Sequence, residues 1–324
     1  PTQSHYLGLT GGNENSTYSI SLSYLSEDGI FDYKNKSNYE RLGFRINSDH
    51  KVNKYLRIGE NLTYAHRKRH GLGVGNIYDN FLRTILSASP LIDVYDPNEP
   101  DGFGRSHFYE EQVNPIAVMN YYYNSINKYD DIIGDVYVEL EFIKGLKFKT
   151  DFGGSIFFEH TSSATDTFVI TSQNFNPVPD YRQYMERRFS YNWDNILSYE
   201  KTIGKHNLLA MVAMNVQDNW RFYEDINANA FLIHPNLDPV ISNISLQADI
   251  VGDTVYVSGD YGKTDSRFST LGRLSYNFDE KYLLTVSFRR DGSSRFGKNY
   301  RYGNFYSVSA GWVVTREKFL ETPV

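Results

Sequence analysis

The feature that most constrains this chain is a two-residue alternation of apolar and polar side chains that recurs along most of its length. In TYSISLSYLS, for example, Tyr18, Ile20, Leu22 and Tyr24 alternate with threonine and serines. Successive side chains of a β-strand point to opposite faces, so this period predicts strands with one apolar face. The period recurs in ten segments, at 18–24, 42–46, 56–64, 136–142, 146–158, 189–199, 208–216, 274–278, 282–288 and 306–314. In the segment YLRIGENLTYA, Glu60 is the one polar residue that interrupts the apolar face.

The connections between these segments alternate in length. Short links occur near 49–55, 142–146, 200–206 and 278–282, and long links at 26–39, 66–131, 160–184, 218–267 and 290–304. Outer-membrane barrels have short periplasmic turns, long extracellular loops and aromatic residues at both ends of the apolar band. Tyr18, Tyr24, Tyr282 and Trp312 occupy such ends. The pattern predicts an all-β, transmembrane antiparallel up-and-down β-barrel, with a soluble all-β domain solvated on one face as the alternative.

Composition narrows the class of protein further. The 324 residues include 16% aromatic side chains, which disfavours disorder, and no cysteine, which excludes disulfides and thiolate sites. A formal net charge of −6 argues against a dedicated nucleic-acid binder. The longest purely apolar run, LLAMVAM at 208–214, is far shorter than the roughly 20 residues of a membrane-spanning helix. The first residues lack the basic and apolar parts of a signal peptide.

Two short helices are predicted inside the longest loop. NIYDNFLRTILSASP has Asn76 as a candidate N-cap, an apolar face that includes Ile77, and Pro90 beyond the end. NPIAVMNYYYN has Asn114 at the cap and Pro115 at the first helical position. Helices in a loop of this length indicate an ordered, functional segment.

The stretch SFRRDGSSRFGKNYRYGNFYSVSAGWVVTREKFL, at 287–320, closely resembles the signature of SusC-like TonB-dependent transporters, the RagA/SusC family. GLTGGNENSTYSISLSYLSEDGIF followed by YERLGFRINSD, and NFLRTILSASPLIDVYDP, also resemble this family, so the likeness covers essentially the whole chain. It implies a multi-pass β-barrel in the bacterial outer membrane that imports oligosaccharides or peptides. It also implies outer-membrane lipid as a neighbour, a SusD-like surface lipoprotein as a lid, and TonB acting through a plug or N-terminal segment. No cofactor, no catalytic residue and no nucleic-acid partner is predicted.

The chain departs from the family pattern in extent. Plugged transporters of this type close with 22 strands, whereas the alternation predicts about ten. No segment corresponds to the plug or to the part that contacts TonB, and the chain stops at ETPV. We therefore expect residues 1–324 to form a partial barrel domain, an internal fragment with the plug and the C-terminal strands absent.

Two loop regions contain candidate substrate contacts. In the Gly/Arg-rich segment 290–304, Arg295 and Asn299 are candidates at a hairpin tip, because the strand-to-helix context of a phosphate-binding loop is missing. For that segment we favour an architectural role, in which Asp291 and the arginines form salt bridges with neighbouring loops. In the long loop, VYDPNEPDGFGR provides the candidates Tyr95, Phe103 and Arg105, and YYYN provides Tyr122, since aromatic rings stack on sugars and peptides alike.

Two further features are weighed against simpler explanations. Asp96, Asn98 and Asp101 suggest a calcium loop, but their spacing misses the EF-hand pattern, so a turn is the better interpretation and no metal site is predicted. The basic run HRKRH at 66–70 is either a solvated charge cluster or a contact of Arg67, Lys68 and Arg69 with lipopolysaccharide phosphates.

No motif of a hydrolase or metalloprotease occurs, and the carboxylates of the predicted strands lie on rows that a barrel keeps polar, so no enzyme is predicted. The alternatives to an importer are a non-TonB porin, a barrel enzyme and a soluble carbohydrate-binding sandwich. A porin would have all its closing strands and lack the family signature. A ten-stranded enzyme would pair its first strand with its last, and a sandwich would pack its apolar faces together. Strand order and closure therefore discriminate among these classes.

Overall fold

A computed structural model describes residues 1–72, 81–106, 109, 112–122, 124–231, 250–317 and 319. Eleven strands form one antiparallel sheet in which each strand pairs with its neighbours along the chain. They are β1 Thr2–Gly12, β2 Ser16–Asp28, β3 Asn38–Lys51, β4 Leu56–His70, β5 Ser125–Ile143, β6 Leu146–Thr165, β9 Asp180–Ile203, β10 His206–Phe231, β11 Ile250–Phe278, β12 Tyr282–Ser293 and β13 Tyr302–Trp312. A small hairpin of β7 Phe168–Val169 and β8 Phe175–Asn176 lies between β6 and β9. The predicted antiparallel up-and-down arrangement is confirmed.

The prediction of ten strands was one strand short, because β1 was not recognised. His5, Leu7, Leu9 and Gly11 are opposite the apolar residues of β2, so only Leu7 and Leu9 continue the alternation before Gly11 breaks it. In the sheet, the ring of Tyr18 on β2 covers Gly11, since a Cβ on Gly11 would lie 2.4 Å from the Tyr18 hydroxyl oxygen. An aromatic side chain on the neighbouring strand thus replaces the side chain that glycine lacks.

The predicted long loop at 218–267 was also wrong in extent. Strand β10 has 26 residues and β11 has 29, and each continues well into that range. A tilted strand needs about 9–11 residues to cross a bilayer, so the outer parts of these strands project beyond it. Outside the membrane both faces of a strand are wet, and the apolar alternation that reveals a strand is no longer required.

The short connections all lie at one end of the sheet, as predicted. Their backbone geometry requires turn residues: Asp279 and Glu280 both have a φ of 54°, and Gly204 has a φ of 60°. Gly145 has a φ of 86°, and a Cβ there would lie 2.1 Å from the Glu200 carbonyl oxygen. Such positive φ angles match the right-handed twist of the flanking strands.

The register places the alternating apolar residues on one face of the whole sheet. Leu274, Val286 and Val308 are direct neighbours across β11, β12 and β13, and the same holds along the other strands. On this face Val212 is 58% exposed and Val286 42% exposed. No second sheet covers this face in the part of the chain that the structure describes. The apolar faces of the described strands thus do not pack together as a soluble sandwich requires.

Aromatic residues border the apolar face at both ends. At the short-turn end they are Tyr18, Tyr199, Tyr276, Phe278, Tyr282 and Trp312. At the long-loop end they are Tyr24, Phe158, Phe189, Tyr191, Trp220 and Phe222. Such paired girdles mark the two interfaces of a bilayer around a barrel.

The opposite face is polar and cross-linked. Arg57 ion-pairs with Asp49 at 2.9 Å, and the amide of Asn61 donates to Asp135 at 2.9 Å. Lys149 ion-pairs with Asp151 in the same way. These carboxylates have structural partners on a face that a barrel turns toward its interior.

The sheet is open. Strand β1 pairs only with β2, and β13 only with β12, among the residues that the structure describes. The closure that a self-contained barrel enzyme requires is not formed, and the fold is that of a partial barrel.

Two helices lie in the connection between β4 and β5: α1 Phe81–Ser87 and α2 Pro115–Tyr122. Helix α2 begins at Pro115 as predicted, whereas Asn76 and Ile77 lie outside the described residues. Over the described part of the chain, neither helix is long and apolar enough to cross a bilayer.

Candidate functional site: the loop layer at the long-loop end

Three connections pack together at the long-loop end and form what we call the loop layer: residues 29–37, the described parts of 71–124, and 166–179. Its apolar core consists of buried side chains from two of them, Phe81, Phe103, Ala117, Val118, Met119, Phe168 and Ile170. Tyr33 from the first connection packs against this core. Loops that share a hydrophobic core are held in one arrangement, so the loop layer presents a defined surface.

Asn114 joins the segments of the longest connection. Its side-chain oxygen accepts hydrogen bonds from the backbone N–H groups of Ile116 at 3.0 Å and Ala117 at 3.4 Å, which caps helix α2. Its amide nitrogen donates to the carbonyls of Val94 at 2.9 Å and Gly104 at 3.1 Å. Asn114 is almost fully buried, so one side chain satisfies both the helix start and the turn that packs on it.

Helix α2 is also held at its other end. The ammonium group of Lys36 donates to the carbonyl oxygens of Met119 and Asn120, and Lys34 donates to the Asn120 side chain at 3.0 Å. Cations at a helix C-terminus satisfy carbonyls that have no partner within the helix. Sequence reasoning missed these lysines, because nothing local connects the YKNK stretch with a helix more than eighty residues away.

The turn after α1 holds three of the predicted substrate contacts. Tyr95 and Phe103 form a β-bridge, and their rings stack at 5.9 Å. Phe103 is only 7% exposed, whereas Tyr95 is 60% exposed. Asp96 accepts hydrogen bonds from the backbone and side chain of Asn98, both at 2.9 Å, as expected of a turn. Within the described residues, no group of acidic or histidine side chains is arranged to hold a metal ion.

Arg105 is engaged by this turn and by the β7–β8 hairpin. It ion-pairs with Glu99 at 2.9 Å and Asp101 at 3.6 Å, and it donates to the Val169 carbonyl at 2.9 Å. Its guanidinium therefore links two connections. Phe103, buried in the core, likewise supports the layer from within.

Tyr121 and Tyr122 pack on Phe168 from two sides, at 4.8 Å and 4.9 Å between ring centroids. Burial, together with the nearby Asp101 carboxylate, raises the pKa of the Tyr121 hydroxyl. A hydrogen bond with Tyr33 likewise raises the pKa of the Tyr95 hydroxyl. Tyr122 is 42% exposed, and Tyr123 lies outside the described residues.

The Gly/Arg-rich tip between β12 and β13 is separate from the loop layer in the strand order. Arg295 donates to Asp265 of β11 at 2.8 Å, and Asn299 is exposed. The guanidinium of Arg290 lies 4.6 Å from the ring of Tyr302. Strand order thus places Arg295 and Asn299 near the last strands, away from Tyr95 and Tyr122.

Comparison with known proteins identifies the relatives of this chain. No family model matches it. The TonB-dependent receptor P39 of Formosa agariphila is 27% identical over 321 residues, which is 98% of this chain and 28% of the receptor. The TonB-dependent receptor SusC of Bacteroides thetaiotaomicron is 24% identical, over 98% of this chain and 31% of that protein. The homologues of this chain are SusC-like TonB-dependent receptors.

The fold agrees with that relationship. The structure of the RagAB peptide transporter superposes on 99% of this chain and 35% of the solved chain with a TM-score of 0.80, at 21% identity. The chain spans about a third or less of the length of these SusC-like relatives. TonB-dependent receptors are outer-membrane barrels, which assigns the apolar face of the sheet to lipid and its location to the outer membrane. The relatives are receptors and transporters, which agrees with the prediction of a non-enzymatic chain.

The residues of the basic run HRKRH alternate between the two faces of the sheet. Arg67 lies on the inner, polar face, where it ion-pairs with Asp131 and its guanidinium stands 4.9 Å from the Tyr129 ring. Arg69 shares that face. Lys68 alone of the three lies on the lipid-facing side. The predicted contact of all three with lipopolysaccharide is not supported by this geometry for the two arginines.

Proposed function

We propose that this chain forms part of the wall and of the extracellular surface of a TonB-driven outer-membrane importer of oligosaccharides or peptides. The observation that carries the proposal is the loop layer, which has its own apolar core and lies at one end of an open sheet. The homologues of the chain are SusC-like receptors. A rigid layer above a barrel suits capture of a ligand before it enters the lumen. Residues 1–324 would be a partial barrel domain of a protein with a plug and further strands.

The test is uptake by cells that produce the full-length protein, with and without functional TonB. Separate labelled pools of oligosaccharides and of short peptides distinguish the two substrate classes. We expect one pool to accumulate only in cells with TonB. Equal accumulation without TonB would refute the proposal and favour a passive porin.

Within this function, Tyr95 and Tyr122 are the proposed substrate contacts of the loop layer. Both rings are exposed, and each is held by a neighbouring ring: Tyr95 stacks on Phe103, and Tyr122 makes an edge-to-face contact with Phe168. Phe103 and Arg105 are proposed to position them. Arg295 and Asn299 are proposed as a second contact region at the β12–β13 tip.

Replacing Tyr95 and Tyr122 with alanine tests this assignment. Aromatic stacking is worth about 0.5–1.5 kcal/mol per ring, so we expect each change to weaken binding by about 2- to 10-fold. Binding of the preferred pool to the purified full-length protein is the measurement. Tyr55→Ala is the matched control, because Tyr55 is also half-exposed but lies at the short-turn end. Unchanged affinity in both loop variants would contradict the assignment.

A SusD-like lipoprotein lid is the proposed partner of the loop layer. Three exposed apolar side chains belong to the loop layer: Ile30 is 94% exposed, Leu86 86% and Leu91 74%. Exposed apolar patches of sufficient size mark protein contacts, and we propose that these side chains contribute to one. The double variant Leu86→Asp and Leu91→Asp should lose co-purification of the lipoprotein with the full-length protein. Phe296→Asp, on the β12–β13 tip, is the control that should retain it. Retention by the double variant would place the lid elsewhere.

A further inference from the structure

Three cations stand on the lipid-facing side of the sheet near its long-loop end: Lys68 on β4, Lys128 on β5 and Arg187 on β9. None of the three makes an ion pair with another described residue. Lys68 and Lys128 are directly opposite each other in the register. Like charges in direct cross-strand positions destabilise a sheet, so this pair is costly unless an anion lies between the two ammonium groups.

The neighbouring acidic residues do not supply that anion. Asp130, the closest along β5 on the same face, accepts hydrogen bonds from the Tyr64 hydroxyl at 2.7 Å and from His66 at 2.8 Å. Glu40 is opposite Lys68 on β3 without forming an ion pair with it, and Glu224 is opposite Met185 on β10. His160 is opposite Lys128 on β6, and its Nε2 atom is 3.0 Å from the amide nitrogen of Gln183.

Two of these cations, Lys128 and Arg187, border an apolar groove. Phe158, Met185 and Phe222 also line it, and its volume is about 450 Å³. The Arg187 guanidinium stands 6.0 Å from the centre of the Phe222 ring, so this cation is positioned over the groove. Glu159 and Glu186 also border it, but they belong to strand positions that face the interior, where Glu186 ion-pairs with Arg188 and Arg221.

The height of these groups matches the outer surface of a bilayer. Arg187 is twelve residues from Tyr199, which belongs to the aromatic girdle at the short-turn end. That separation is about 40 Å along the strand and about 30 Å along the membrane normal at a tilt of roughly 40°. The hydrocarbon core is about 30 Å thick, so the cations lie where outer-leaflet headgroups begin.

The groove is also in the middle of the sheet, across β4 to β10, rather than at its open edges. Further strands that pair with β1 or β13 would not cover it. Its neighbour in the membrane is therefore lipid, and the outer leaflet of a bacterial outer membrane is built of phosphorylated glycolipid.

We propose that this groove binds a phosphorylated glycolipid of the outer leaflet. One phosphate lies between Lys68 and Lys128, Arg187 contacts a second anionic or hydroxyl group of the headgroup, and an acyl chain lies on the Phe158 and Phe222 rings. Lysine and arginine pair strongly with phosphate through charge-assisted hydrogen bonds. This site depends on the outer-membrane location but not on transport, so its failure would leave the proposed import function intact.

The test measures binding of purified bis-phosphorylated lipid A to the delipidated full-length protein by native mass spectrometry. The triple variant Lys68→Ser, Lys128→Ser and Arg187→Ser should bind at least about tenfold more weakly than the parent. The control triple Lys54→Ser, Lys144→Ser and Lys201→Ser removes the same charge at the short-turn end and should bind like the parent. Dephosphorylated lipid A should bind the parent as weakly as lipid A binds the triple variant.

Several outcomes would overturn the proposal. Equal binding of lipid A by the parent and the triple variant, or equal loss in both triple variants, would exclude the groove as a specific site. Full displacement of lipid A by inorganic phosphate at the same concentration would indicate a free-anion site instead. If the triple variant retained lipid A but lost a dimer that the parent forms, the groove would be an interface between two copies of the chain rather than a lipid site. Should the triple variant fail to fold, as judged by heat-modified gel mobility, Lys128→Ser alone gives the same comparison.

Discussion

Glu60 illustrates how single residues are accommodated on the lipid-facing side. Its carboxylate accepts a hydrogen bond from the Ser48 hydroxyl, Ser48 contacts the Nε2 atom of His50 at 2.8 Å, and His50 contacts Ser16 at 3.0 Å. The four side chains form a chain of hydrogen bonds near the short-turn end. A polar residue on an apolar face is tolerated there because its partners lie on adjacent strands and the interface is close.

The facing of individual residues can be tested at Val286. Its side chain lies on the lipid-facing side, so Val286→Arg should lower the free energy of unfolding of the full-length protein by about 2–4 kcal/mol if it lies near the midplane. Ser287→Arg faces the interior, opposite Arg273, and should cost no more than about 1 kcal/mol. Urea unfolding in lipid vesicles measures both. Equal losses would reverse the assignment of the two faces.

Among the elements, the loop layer depends on contacts that its two short helices make with distant turns. Helices of seven and eight residues are too short to be stable alone, so their order comes from tertiary packing. Asn114, Lys36 and Arg105 supply the polar part of that packing. Loss of one such residue should therefore loosen more than one segment.

Replacing Asn114 with alanine tests this coupling. The change removes the cap of α2, the side-chain donor of the Gly104 carbonyl and one of the two donors of the Val94 carbonyl, which together should cost about 2 kcal/mol or more. Hydrogen exchange of the full-length protein should then accelerate both at the start of α2 and in the turn at 94–104. Asn98→Ala, an exposed residue of the same turn, is the control. Acceleration confined to α2 would contradict the coupling of the segments.

The outer extension of β9 and β10 contains an ion pair that is sensitive to acid. Arg182 donates two hydrogen bonds to Asp225, at 2.9 Å and 2.8 Å, and these chiefly hold the pKa of the Asp225 carboxyl below its usual range. The stabilisation is complete above the ordinary carboxyl pKa of about 4 and is lost as the pH falls through the lower folded pKa.

A spin label at Ser258, which is opposite Asp225 on β11, reports on this ion pair. In the full-length protein, its mobility should be constant from neutral pH to about pH 5 and should rise below about pH 4. With Arg182→Gln the label should be more mobile at neutral pH and should lack the acid step. An identical step in the variant would assign the titration to another group.

At the scale of the whole molecule, the open sheet is the central observation. Eleven strands in consecutive order with two unpaired edges, similar to about a third of a solved transporter chain, describe a segment of barrel wall. Exposed strand edges invite pairing, so in the full-length protein β1 and β13 should each gain a neighbour.

Distances between spin labels test this arrangement, and residues 1–324 contain no native cysteine that would compete for the label. Labels at Leu22 and Phe44, which are direct partners on β2 and β3, should report a short distance. Labels at Leu7 and Val308, on the two edge strands, should report a much longer one in the full-length protein. A short distance for the edge pair would mean that the eleven strands close on themselves.

Much of the fold followed from local pattern. The ten alternating segments, the alternation of short and long links and the helix start at Pro115 were predicted because a strand with one face in lipid must alternate and a helix start has its own local signature. Strand β1 and the outer parts of β10 and β11 were not predicted. Glycine interrupts the alternation in β1, and strands exposed to water on both faces do not require it.

The sequence by itself therefore determined the class of fold, the facing of its strands and its membrane setting. Only the tertiary structure decided which loop residues meet: Phe103 and Arg105 support the layer, Tyr95 and Tyr122 are exposed on it, and Arg295 lies elsewhere. The physical reason is the separation along the sequence of the residues that interact. Alternation is set by each residue's immediate neighbours and the lipid beside it, whereas the loop layer is held by contacts such as Lys36 with Asn120, which are 84 residues apart.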